Sequence, residues 1–137
     1  VSQFCVQQGQ TTRIPFTIIR MGADHGADKV LVVFDIDNTL LAMEQDLGSD
    51  QWYYWQKDQS KKNPCDPRVV GDRLAVQGAI FFASAMRPTQ PDAAQQVNRI
   101  QDAGITTIAL TSRGPDYRLQ TFRKLSRQGI RFWPTAI

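Results

Sequence analysis

The sequence is poor in the residues that build zinc sites. Among its 137 residues there are two cysteines and one histidine. Cys5 and Cys65 lie far apart, form no CxxC and have no histidine beside them, which argues against a metal site made from them. Their spacing alone fixes no disulfide. His25 stands alone in a Gly-rich stretch and reads as exposed. No apolar run approaches the roughly 20 residues that span a bilayer, so no membrane partner is expected. Charge of one sign is also scarce. Sixteen basic residues face thirteen acidic ones, for a net charge of +3. The densest basic group, Lys57, Lys61 and Lys62, has Asp58 beside it and reads as a solvated face. Without a basic stripe and a reading helix, no nucleic-acid partner is expected. There is no internal repeat and no low-complexity segment. The first residue is valine, so the chain reads as processed, trimmed or partly built. That leaves a cytoplasmic protein and one exported after signal removal equally open. Oligomeric state is not legible.

What is present is concentrated at one point. Val30-Leu31-Val32-Val33-Phe34 is an uninterrupted apolar run. Such a run predicts a strand buried on both faces of a parallel sheet. It is followed at once by Asp35-Ile36-Asp37-Asn38-Thr39. In open α/β sheets the C-terminal edge of the strands is where ligands bind. Further on, Ala93, Val97 and Ile100 recur at helical spacing and Gly104 closes the helix. Ile105 to Leu110 reads as a second buried strand, ending in Thr111-Ser112-Arg113-Gly114. Pro115 opens another helix, with Leu119, Phe122 and Leu125 inward and Gly129 at its end. Ile130 to Trp133 reads as a third strand, stopped by Pro134. This alternation predicts an α/β fold, a three-layer α/β/α sandwich with a parallel Rossmann-like sheet.

The remaining segments are less regular. Residues 1–28 form an N-terminal segment with no fixed assignment. Within it Ile14-Pro15-Phe16-Thr17-Ile18-Ile19 admits a short strand, and Gly22 to Gly26 looks like a turn. Residues 29–137 form the core domain, and 41–88 reads as an insertion without a core strand. In that insertion Trp52-Tyr53-Tyr54-Trp55 supplies either a packing core or a wall for substrate. Residues 56–68 are polar and read as a loop, and Val76 to Met86 as a helix.

Two carboxylates one residue apart at a strand end permit a definite chemistry. An ionised Asp35 can attack phosphorus. Asp37 can give a proton to the leaving oxygen. A divalent ion, Mg²⁺ by its preference for oxygen ligands, lets two carboxylates and a phosphate share one site. Thr111, with its hydroxyl, and the backbone amides of Ser112 and Arg113 would cradle phosphate oxygens ahead of a helix N-terminus. Thr111 and Ser112 also suit helix capping, which coexists with that role. Arg113 either meets an anionic substrate group or pairs with Asp116. A plain surface turn is disfavoured by the apolar strand before the acids and Thr39 after them. The DxD metal site of a nucleotide-sugar transferase leaves Thr39 and Thr111 unexplained.

Val32 to Leu40, an apolar strand followed by DxDxT, resembles the first motif of the haloacid dehalogenase superfamily in its phosphatase form. Ile108 to Gly114 resembles the second motif. Asp46 to Trp55 is similar to a bacterial branch of unassigned function in that superfamily. The resemblance covers about residues 29–134 and implies a Mg²⁺-dependent phosphomonoester hydrolase acting on a phosphorylated small molecule. It implies Asp35 as nucleophile and metal ligand. Asp37 would be the general acid and base, with its backbone carbonyl on the metal. Thr111 would hold the phosphoryl group, with Ser112 and Arg113 beside it, and the insertion would be a cap. The family also uses a later lysine and a further acidic metal ligand. Lys124 is the one lysine beyond the second motif, on a helix expected to pack the sheet, and Asp116 stands at that helix start. The further acid is not in this chain, which therefore reads as a piece of a longer phosphatase. A catalytically inactive phospho-ligand or protein-binding module and a phosphotransferase are the competing functions.

Overall fold

Strand β1 (Leu31–Asp35) pairs in parallel with β4 (Thr106–Leu110), with Leu31 opposite Thr106 and Asp35 opposite Leu110. This pairing aligns the ends of the two strands. The structure is a computed structural model that describes residues 14–132. It is a mixed α/β fold with five α-helices among the described residues. In chain order the remaining elements are α1 (Ile14–His25), β2 (Leu41–Met43), α2 (Asp50–Lys62), α3 (Arg73–Ala83), β3 (Met86–Pro88), α4 (Ala93–Asp102) and α5 (Arg118–Arg127).

The chain divides into two compact units. One comprises residues up to Leu40 together with those from Pro88 onward, and the other is Leu41–Arg87. The core of the first unit is built by α4 and the start of β4. Val97 and Ile100 on α4 and Ile105 before β4 are 1%, 1% and 0% exposed, each burial contributing about 1.5–3 kcal/mol. Helix α4 ends as its sequence suggests, with Gly104 at φ 75°, a conformation open to glycine.

Helix α1 replaces the strand that Thr17, Ile18 and Ile19 admit. Pro15 stands in the first turn, where a missing N–H costs nothing. The helix runs through the expected turn to His25 and lies against α4. Gly22 is the point of closest approach. A Cβ there would stand 2.8 Å from the Ile105 side chain. Tertiary packing here outweighs β-branched propensity.

The apolar run of β1 is not buried on both faces. Val32 and Phe34 are half-buried, while Leu31 and Val33 are 56% and 48% exposed. Side chains alternate along a strand, and Val32 and Phe34 share the face on which Thr107 of β4 is fully buried. The expected inward face of α5 is also corrected. Leu125 is buried, but Leu119 and Phe122 are exposed, and Thr121 and Lys124 take the inner positions. At 3.6 residues per turn, Leu119 and Leu125 lie about 120° apart and cannot share one narrow face. The expected third strand is absent over Ile130–Phe132, where Ile130 is buried without strand pairing. The Arg131 carbonyl accepts a bond from Gln101 Nε2 at 2.6 Å instead. Trp133 and Pro134 lie outside the described residues.

The second unit is more regular than its sequence suggests. Strands β2 and β3 form a two-stranded sheet, although no core strand is expected there. Leu41 and Met86 are buried at its ends. Of the polar stretch 56–68 expected as a loop, residues 56–62 belong to helix α2 and 63–68 are loop. Ser49 caps it, its hydroxyl accepting from the Trp52 N–H at 3.3 Å. Gln and Lys favour helix, and Lys62 pairs with Asp58 one turn earlier at 2.6 Å. Gln56, 2% exposed, holds the segment that follows. Its Nε2 donates to the Arg68 carbonyl at 2.8 Å, and its Oε1 accepts from the Val70 N–H at 3.0 Å. Asp72 then caps α3 through the Ala75 N–H.

Candidate functional site

The loop after β1 is pinned at two buried points. Ile36 and Leu40 are 4% and 5% exposed, so the residues between them are carried at the strand end. The Ile36 N–H donates to the Leu110 carbonyl at 3.1 Å and continues the ladder past Asp35. The N–H groups of Thr39 and Leu40 both donate back to the Ile36 carbonyl. That tight return sets Asn38 at φ 58°, a left-handed conformation that asparagine tolerates.

The turn brings the motif's polar side chains together. Thr39 Oγ1 donates to Asp35 Oδ2 at 2.8 Å. Asp35 is exposed. Thr89, just after β3, donates its hydroxyl to the Thr39 carbonyl and its N–H to the Leu40 carbonyl. Thr89 is a supporting residue that sequence reasoning misses. It lies fifty positions from Thr39, and no local pattern marks it.

The end of β4 delivers the second half of the site. Thr111 Oγ1 donates to Asp37 Oδ2 at 3.0 Å. The Arg113 N–H donates to Thr111 Oγ1 at 3.2 Å. Arg113 Nε and Nη2 both donate to Asp37 Oδ1, at 3.2 and 2.8 Å. The two side chains are 17% and 22% exposed, so this ion pair is partly withdrawn from water. Asp37, Thr111 and Arg113 therefore form one network. Arg113 pairs with Asp37 and not with Asp116, which is exposed at the start of a short turn at Pro115–Tyr117. The Arg113 amide, expected to face phosphate, is directed at Thr111. Ser112 is exposed beside them.

Lys124 is 3% exposed on α5. Burial pushes its ammonium below the usual lysine range, and the positive charges of Arg127 and Arg113 push it the same way. Its low exposure marks it as an interior lysine. In the other unit, Trp55 and Tyr53 carry the Arg68 and Arg73 guanidinium groups over their rings at 5.5 and 6.0 Å. Cys65 is a free, exposed thiol, His25 is exposed, and Cys5 lies outside the described residues.

Asp35 and Asp37 supply hard oxygen donors of the kind Mg²⁺ takes. Among the described residues no third acidic, histidine or cysteine side chain joins them in a group. No helix among those residues is long and apolar enough to cross a membrane.

One family model matches the chain, over residues 15–137, and its description is Protein of unknown function (DUF2608). The match covers most of the chain, which belongs to that family. No curated protein and no solved structure matches it.

Proposed function

For this member of the DUF2608 family, we propose a phosphomonoester hydrolase that works through an aspartyl-phosphate on Asp35 and uses Mg²⁺. The observation that carries the reading is the meeting of two strand ends. An exposed carboxylate, Asp35, ends β1, and two residues further on a second carboxylate, Asp37, is held by the Thr111 hydroxyl at the end of β4. The resemblance of the sequence motifs to those of haloacid dehalogenase phosphatases extends the proposed fold reading to a three-layer α/β/α sandwich. On that reading the Leu41–Arg87 unit is the cap that selects the phosphorylated small molecule.

In the proposed reaction, an Asp35 carboxylate oxygen attacks phosphorus and the bond to the ester oxygen breaks. Asp37 gives its proton to that leaving oxygen, and the alcohol departs. Asp37, now ionised, takes a proton from water as the water oxygen attacks the same phosphorus. Inorganic phosphate and the free Asp35 carboxylate result. Thr39 orients Asp35 through its 2.8 Å bond, and Thr111 orients Asp37. The Asp35 carboxylate and the Asp37 backbone carbonyl would hold Mg²⁺, whose charge offsets the crowding of anions.

A generic aryl phosphate with Mg²⁺ is the test substrate. Turnover is expected from the unaltered protein and not from Asp35→Asn. Equal turnover by the two would sink the mechanism. The ion pair on Asp37 favours a second reading, a phosphate-binding module without turnover. Phosphate binding with no release of aryl alcohol distinguishes it. An acceptor alcohol phosphorylated in place of water would indicate phosphotransfer by the same Asp35 intermediate.

A further inference from the structure

Asp37 is held on both oxygens. Arg113 takes Oδ1 with two N–H donors, at 3.2 and 2.8 Å, and the Thr111 hydroxyl takes Oδ2 at 3.0 Å. While that pair stands, the guanidinium is not available to a ligand and Asp37 is not available to a leaving group. The arginine fork fits a carboxylate and a phosphate by the same geometry. The pair is also partly withdrawn from water, with side chains 17% and 22% exposed, so it is screened less than a surface pair.

Building on the hydrolase reading, we propose that the Arg113–Asp37 ion pair is a latch exchanged on substrate binding. Arg113 leaves Asp37 for a phosphate oxygen, and the freed carboxylate takes from solvent the proton that it then gives to the leaving oxygen. The exchange sets a charge threshold. A singly charged anion offers Arg113 no more charge than the carboxylate it must displace. A doubly charged phosphate offers a surplus. The latch thus selects phosphomonoester dianions over singly charged diesters.

The test is calorimetric binding of inorganic phosphate and of dimethyl phosphate, at fixed Mg²⁺ and mildly alkaline pH. The unaltered protein, Asp37→Asn, Arg113→Gln and the double variant are compared, with circular dichroism reporting the fold of each. Asp37→Asn is expected to bind phosphate about tenfold more tightly, because no carboxylate charge then competes for Arg113. That gain is expected to vanish in the Arg113→Gln background. Dimethyl phosphate is expected to bind Asp37→Asn and not the unaltered protein. An equal gain in both backgrounds would mean simple relief of repulsion and would overturn the latch. So would no gain, or dimethyl phosphate binding the unaltered protein as well as phosphate does.

A measurement without variants guards against misfolding. The Arg113 Nε–H resonance of the unaltered protein is expected to shift with phosphate and stay in place with dimethyl phosphate. An unmoved resonance at saturating phosphate overturns the exchange. Aryl phosphate turnover by the unaltered protein judges the hydrolase reading separately. Turnover with an unmoved Arg113 removes only the latch, and exchange without turnover removes only the hydrolase.

Discussion

The two units of this chain use their polar side chains differently. In Leu41–Arg87 they serve the backbone. Gln56 satisfies the Arg68 carbonyl and the Val70 N–H, Ser49 takes the Trp52 N–H, and Asp72 takes the Ala75 N–H. At the ends of β1 and β4 the polar side chains engage one another instead: Thr39 with Asp35, and both Thr111 and Arg113 with Asp37. A buried amide that closes a loop is architecture, because removing it strands backbone groups. Carboxylates held by hydroxyls and a guanidinium at paired strand ends are, on the proposed reading, placed for chemistry.

Substitutions break this comparison if the two groups behave alike. The largest effect is expected from Asp35→Asn. It should lower aryl phosphate turnover by at least about a thousandfold with little change in melting temperature. A carboxamide oxygen can still accept the Thr39 hydroxyl. A melting point that fell together with activity would make Asp35 structural. Thr111→Val keeps the shape of the side chain and removes both its bonds. Turnover should fall on the order of a hundredfold, read from steady-state rates beside an unchanged circular dichroism spectrum.

Gln56→Ala should act the opposite way. It leaves the Arg68 carbonyl and the Val70 N–H without partners and should cost about 2 kcal/mol in denaturant unfolding. The Val70 amide should exchange with solvent sooner, as hydrogen exchange would show. Unchanged stability would remove the contrast between the units.

The smallest effect concerns acid. Hydrogen bonds from the Arg68 side chain and backbone N–H hold the Asp66 carboxyl down from 3.8 to about 2. A depressed folded value means the pair stabilises fully above the ordinary carboxylate range. The contribution fades as pH falls toward about 2. A carbon NMR titration of Asp66 should show that midpoint. A midpoint at the ordinary value would mean the loop after α2 is not held this way.

The sequence made the strand-end site legible because its parts are local. An apolar run followed by Asp35, Asp37 and Thr39 needs no distant information, and neither does Ile105 to Thr111 with a glycine-closed helix before it. The partners were not legible. Arg113 had Asp116 as a nearer neighbour in the chain, yet the β1–β4 register brings Asp37 to it. Thr89 reaches Thr39 only through the return of the chain after β3. In α1 and α2 the surface composition misled. Helix α1 is fixed by Gly22 against Ile105, and α2 by its Ser49 cap and the buried Gln56. The inner face of α5 follows Thr121, Lys124 and Leu125, and its apolar residues alone do not reveal it.

The central claim is that Asp35 carries the phosphoryl group. Borohydride quenching of the protein during turnover of an aryl phosphate, followed by peptide mass spectrometry, tests it most directly. An aspartyl-phosphate at position 35 is reduced to homoserine, and that residue should appear only with substrate and Mg²⁺ present. Turnover with an unreduced Asp35, or with reduction at another carboxylate, would contradict the account.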